Sequence, residues 1–169
     1  SGLSATDTYF AMARGYQGAA GGKTIDLHAL PMKKWFTTNY HYIAPEIDDG
    51  ARIALADPET RSGPLAASFD PVAAYLEAAG HGIEVRPSLV GPFTLLKLTN
   101  FAGTRRPEDV ADEVADAYGE LFARLSKAGA RAVLLDESAL ALDLDARDVA
   151  LFERLSRRAL AFRSGTTED

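Results

Sequence analysis

The chain has 169 residues, 47% hydrophobic and 25% charged, with a formal net charge of −6 and no cysteine. That length makes one domain or part of one. It holds enough apolar residues for a core, but falls short of the roughly 250 residues of a closed eight-fold β/α barrel. The acidic balance argues against nucleic acid as a partner, and the missing thiols exclude disulfides, cysteine nucleophiles and thiolate metal sites within the chain.

In chain order, Thr6 to Arg14 predicts a short helix that starts on a capping residue and sets Phe10 and Ala13 on one face. Residues 15–24 are glycine-rich and read as a flexible loop. Within them Ala20-Gly21-Gly22-Lys23-Thr24 resembles the tail of a phosphate-binding loop, but Gln17 stands where that motif needs its first glycine. Lys34 to Tyr40, dense in aromatic and β-branched residues, reads as containing a strand, with Pro45 ending any regular element soon after. A turn-rich connection over 45–68 has room for a short strand at Ile53-Ala54-Leu55.

Asp70 followed by Pro71 opens a helix with Val72, Tyr75, Leu76 and Ala79 at helical spacing, which Gly80-His81-Gly82 stops. Ile83 to Val90 reads as a strand closed by Gly91-Pro92. Between Pro107 and Gly129 the stripe Val110, Val114, Tyr118, Leu121, Phe122 and Leu125 predicts a long amphipathic helix with acids in its first turns. Ala132 to Leu135 reads as a strand buried on both faces and stops at Asp136-Glu137. A last helix begins near Asp145, with Val149, Phe152, Leu155 and Phe162 on one side. Arg147, Arg154, Arg157, Arg158 and Arg163 form a face read as solvated rather than as an anion site. Residues 164–169 are expected to fray.

Alternating strands and helices define the fold class as α/β: a partial (β/α) barrel of parallel strands with crossover helices, not closed by this chain alone. Open sheet edges then need a partner, either the rest of a barrel or, as an alternative, further copies in a non-catalytic binding or assembly module that forms a homo-oligomer. Parallel α/β proteins build sites at the carboxyl ends of their strands. Those ends carry Asn39, Tyr40 and His41, then Gly91-Pro92-Phe93-Thr94, then Asp136-Glu137, which would converge on one rim if the strands are adjacent.

Asp136 and Glu137 are sequence neighbours and point to opposite faces of a strand. They are therefore no ready-made acid/base pair; they cap local structure, or one of them faces the rim. His41 is either a packing histidine among aromatics or a ligand-facing group, and His28 and His81 are poorer candidates. Lys33 and Lys34 beside Trp35 either meet an acidic ligand or lie on an exposed strand edge. No His-Glu-x-x-His spacing occurs, so no cofactor or metal is expected on this chain alone. With no apolar run long enough for a membrane span and no signal-like start, no membrane partner is expected and the location expected is cytoplasmic.

Met32-Lys33-Lys34-Trp35-Phe36-Thr37-Thr38-Asn39-Tyr40-His41-Tyr42-Ile43-Ala44-Pro45-Glu46 resembles the Met-Thr-Lys-Trp-Phe-x-Thr-Asn-Tyr-His-Tyr-x-x-Pro-Glu segment of cobalamin-independent methionine synthases. Two further stretches are similar to that family's motifs: Arg86-Pro87-Ser88-Leu89-Val90-Gly91-Pro92-Phe93-Thr94, and Asp136-Glu137-Ser138-Ala139-Leu140 with Ser138 in place of a proline. The resemblance implies two face-to-face β/α barrels in the complete enzyme, with residues 1–169 a single segment of the N-terminal (β/α)8-type domain. It implies methyl transfer from a folate polyglutamate to homocysteine, with zinc held by the C-terminal half that is not in this chain. The substrate-binding residues it implies are Lys34, as the contact to the folate polyglutamate tail, with Asn39 and His41 as rim contacts. No turnover is expected from the chain by itself. Its expected partners are that folate tail and the remaining part of the two-barrel enzyme.

Overall fold

The computed structural model describes residues 3–20, 22–55 and 70–162. Helix α1 (Ala5–Arg14) starts on Ser4, whose hydroxyl accepts the Asp7 amide at 3.1 Å, and ends at Gly15 with φ 76°. Only glycine fits there: a Cβ would lie 2.9 Å from the Leu27 carbonyl oxygen. Strand β1 (Tyr16–Ala20) then pairs antiparallel with β2 (Lys23–Leu27). The loop expected over 15–24 is therefore mostly a hairpin, with Gly22 at φ 75° in its turn. Backbone hydrogen bonds hold a ladder even where side chains are small, which is why composition alone reads as a loop.

The expected strand over Lys34 to Tyr40 is also corrected. Strand β3 (Met32–Lys34) ends as that stretch begins, the chain turns, and β4 (His41–Ile43) returns antiparallel to β3. Two short parallel pairs follow: β5 (Glu46–Ile47) with β7 (Asn100–Phe101), and β6 (Ser88–Val90) with β8 (Leu134–Asp136). The β6 strand takes only the last three residues of the expected Ile83–Val90 strand. Residues 53–55 form no strand. Leu134 is about half exposed and Leu135 is partly covered, so β8 is not buried on both faces. Among the described residues the sheets are four separate pairs and none closes. The α/β class holds, while the all-parallel expectation applies to two pairs of the four.

Helix α2 (Pro71–Gly80) starts as predicted, with Asp70 accepting the Val72 and Ala73 amides at 2.9 and 3.3 Å. Helix α3 (Pro92–Leu98) was not legible, because Gly91-Pro92 reads as a stop although proline also suits a first helical turn. Helices α4 (Pro107–Lys127) and α5 (Ala146–Ala161) match the two amphipathic predictions, and Asp145 caps α5 through the Arg147 and Asp148 amides. A 3-10 turn spans Ser138–Ala141. Residues 164–169 and Arg163 lie outside the described residues.

The core gathers Phe93 and Leu96 of α3, Val110, Val114 and Phe122 of α4, and Leu151 and Leu155 of α5. Each such side chain contributes about 1.5–3 kcal/mol by leaving water. Outside this seam, Arg154 donates to Asp112 at 2.9 Å and to the Glu108 carbonyl at 3.1 Å, while Arg158 grips Asp116 with two bonds of 2.6 and 2.7 Å. Part of the arginine face is thus engaged with α4 rather than simply solvated. Contacts that rise in number together show that α4 and α5 run in the same direction, as neighbouring crossover helices do in β/α proteins.

The hydrogen bond from Arg154 holds the Asp112 carboxyl below the ordinary value of 3.8, and that from Arg158 does the same for Asp116. Stability from these groups is present above that value and is lost as pH falls through the lowered folded values. In urea titrations from about pH 6 to about pH 2, Arg158→Met should show a shallower acid-side fall in midpoint than the parent. Equal falls would mean that the ladder carries no linkage.

Candidate functional site

The β3–β4 turn is built by its own side chains. The Trp35 amide donates to the Tyr40 carbonyl at 2.7 Å, and the Thr38 hydroxyl donates to the Trp35 carbonyl at 2.6 Å while accepting the Tyr40 amide at 3.1 Å. Phe36 takes the left-handed region at φ 49°, which reverses the chain within the stretch expected to be extended. Trp35 stands edge-on to Phe36 and Tyr42, with ring centroids 5.4 and 5.9 Å apart.

This turn brings Lys34 directly opposite His41 across the ladder. Such partners share a face, and both are exposed. Neither side chain has a hydrogen-bond or ion-pair partner among the described residues. Asn39 lies exposed in the same turn, two residues before the end of the return to His41. The opposite face is tied down. Lys33 Nζ donates to Asn100 Oδ1 at 3.0 Å, and the Tyr42 hydroxyl donates to the Leu98 carbonyl at 2.8 Å. Burial pushes the Tyr42 phenol up from its ordinary value.

The other candidates form a second group. Glu137 accepts the Phe93 amide at 3.1 Å and the Thr94 amide at 2.7 Å, closing the first turn of α3. The Gly91 amide donates to the Asp136 carbonyl at 2.8 Å, and Thr94 Oγ1 accepts the Ala139 amide at 3.1 Å. A Cβ on Gly91 would fall 2.1 Å from the Glu137 carboxyl carbon. Asp136 accepts the Ser138 hydroxyl at 2.5 Å. Of the alternatives open for these acids, both are used in local structure: Glu137 as a cap made at a distance of 43 and 44 residues, Asp136 as a turn acceptor. Tyr118 donates to the Val90 carbonyl at 2.6 Å, and its phenol is raised first by burial and then by the charge of Glu137.

The two groups engage opposite ends of α3, although Phe36 of the hairpin turn packs against the core cluster that includes Phe93 and Ala139. Glu137 holds the first turn of α3, whereas Tyr42 reaches the carbonyl of its last residue, and a seven-residue helix spans about 10 Å. Sequence reading missed Asp49, which accepts the Thr104 and Arg105 amides at 2.7 and 3.1 Å and the Thr104 hydroxyl at 3.1 Å. The Arg105 and Thr104 amide bonds hold its carboxyl below the ordinary value. Its only signal was the turn-forming text Asp48-Asp49-Gly50. No three His, Asp or Glu side chains among the described residues are grouped to hold a metal, and the chain has no cysteine, so these residues do not fit a zinc site. No helix among the described residues is long and apolar enough to cross a membrane.

The described residues thus form an α/β segment with a basic hairpin and an internally clamped Gly-Pro-Phe-Thr stretch. Residues 1–164 match the family described as cobalamin-independent synthase, N-terminal domain, and the chain belongs to that family. A protein of Streptococcus gordonii strain Challis is 44% identical over 166 residues, covering 97% of this chain and 20% of the relative. One of Bifidobacterium animalis subsp. lactis strain AD011 is 46% identical over 160 residues, covering 93% and 19%. Both carry the name 5-methyltetrahydropteroyltriglutamate–homocysteine methyltransferase. The chain spans about a fifth of the length of these curated relatives.

Removing the Glu137 carboxylate strands two buried-end amides, and a lost partner of this kind costs about 1–3 kcal/mol. Glu137→Ala should lower the urea midpoint accordingly, and Gly91→Ala should lower it too by pushing the carboxylate away. A Glu137→Ala chain with unchanged midpoint would show that water replaces the clamp.

Proposed function

We propose that this chain is a segment of the N-terminal barrel of a cobalamin-independent methionine synthase and contributes to holding the polyglutamate tail of 5-methyltetrahydrofolate. On this reading the complete protein moves the methyl group to homocysteine, and this segment by itself turns over nothing. The parallel pairs β5–β7 and β6–β8 are then staves of a partial barrel whose other staves lie elsewhere in the complete protein. Zinc, which would supply Lewis-acid activation of the homocysteine sulfur, belongs to the other half of that protein.

The observation that carries the reading is the free cationic face of the hairpin, where Lys34 stands opposite His41 with no acid taking its ammonium among the described residues. A tail of linked glutamates presents carboxylates in series, and an uncommitted ammonium attracts each within reach. Asn39 adds an amide that donates to carboxylate oxygen. Such contacts are made with the tail and not with the methyl group, so they act on affinity and leave the chemical step to other residues.

The test is tail-length discrimination. By calorimetry, Lys34→Ala should weaken binding of triglutamyl methyltetrahydrofolate by about three- to fivefold, the upper range for one exposed charge pair, and leave the monoglutamyl form unaffected. Equal affinity of the parent for both forms, or an equal loss for both in the variant, overturns the tail assignment. Methionine formation by the isolated chain would overturn the statement that it has no turnover.

A further inference from the structure

Lys33 and Lys34 are adjacent, equally charged and both beside Trp35, yet the fold treats them differently. Lys33 is spent on Asn100, and Asn100 is itself held: its Nδ2 donates to Glu46 Oε2 at 2.9 Å while its Oδ1 accepts Lys33 Nζ at 3.0 Å. Chemistry fixes that amide orientation without ambiguity, because an ammonium only donates and a carboxylate only accepts. Glu46 and Asn100 are also register partners in the β5–β7 ladder, so the relay is anchored in the backbone at both ends.

Across the hairpin, Lys33 pairs in register with Tyr42, and both reach the same short stretch of chain, Leu98 to Asn100. Two adjacent anchors on one face of a two-stranded ribbon fix its roll, and period-two alternation then forces Lys34 and His41 to the other face. We infer that Asn100, oriented by Glu46, is a positioning residue: it captures Lys33, and so leaves Lys34 and His41 as the ligand-facing pair. The inference rests on the tail-binding reading above. Neither Asn100 nor Glu46 touches the ligand; each acts through Lys33.

The experiment compares triglutamyl and monoglutamyl methyltetrahydrofolate binding in the 169-residue chain, with circular dichroism to check folding of each variant. Asn100→Ala and Lys33→Met should each weaken triglutamyl binding by about threefold, less than Lys34→Ala, and leave the monoglutamyl form unchanged. Glu46→Ala should follow them, whereas Glu46→Gln, which keeps an acceptor oxygen for the Asn100 amide, should stay within about twofold of the parent. That rescue separates orientation of Asn100 from general stability. If Lys34→Ala discriminates between the tails while Asn100→Ala and Lys33→Met behave as the parent, the positioning role is overturned and tail binding stands. A loss in Lys33→Met larger than in Lys34→Ala also overturns it, by making Lys33 a direct contact. If Lys34→Ala itself discriminates nothing, it is the tail reading that fails.

Discussion

The carboxylate of Glu137 on the first turn of α3 is the contact from which the rest of the arrangement follows. It ties the end of β8 to a helix more than forty residues upstream, and it does so where Gly91 leaves room for it. With that end fixed, the course of α3 decides where Leu98, Thr99 and Asn100 emerge. Those residues in turn receive the hairpin through Tyr42 and Lys33. The basic face of the hairpin is therefore oriented by a chain of contacts that begins at an acid committed to the backbone of α3.

The core and the ion pairs divide the work between α4 and α5. The buried seam of Val110, Val114, Leu151 and Leu155 supplies the attraction, since exposed ion pairs add little in water. The arginine ladder supplies direction, being strongest when guanidinium and carboxylate meet through two bonds, as Arg158 and Asp116 do. Asp49 does similar work for the loop after β7, where one carboxyl gathers three donors and Gly103 leaves space for it.

What could be read in advance followed from how local its cause was. The α4 and α5 helices were legible because an apolar stripe and a cap are written in consecutive residues, and Asp70-Pro71 announced α2 in the same way. The β1–β2 hairpin was hidden because its ladder uses backbone groups that every residue carries. The turn at residues 35–40 was hidden for a different reason: its text favours extension, but Thr38 and the left-handed Phe36 override that preference. For the candidate site, family-like text pointed to Lys34, Asn39 and His41. The different fates of Lys33 and Lys34, and the duty of Glu137, depended on partners 67 and about 44 residues away that no local pattern reveals.

Acids occupy positions 108, 112, 116 and 120 of α4, one on every turn, and α5 offers arginines at 154 and 158 with the same interval. Charge alone would accept α5 displaced by a full turn either way, since Arg154 and Arg158 would find another pair of carboxylates waiting. Gly119 removes that ambiguity. A Cβ there would lie 2.4 Å from that of Phe162 and 3.2 Å from the Ala159 carbonyl oxygen, so the end of α5 seats in a notch that α4 possesses at one place. Sliding by a turn would drive the Phe162 ring against Ala115 or Ala123, where a methyl group fills the space. The smallest side chain in the helix thus works as an indexing pin: the charges hold the two rods together at any of several settings, and the missing methyl selects one.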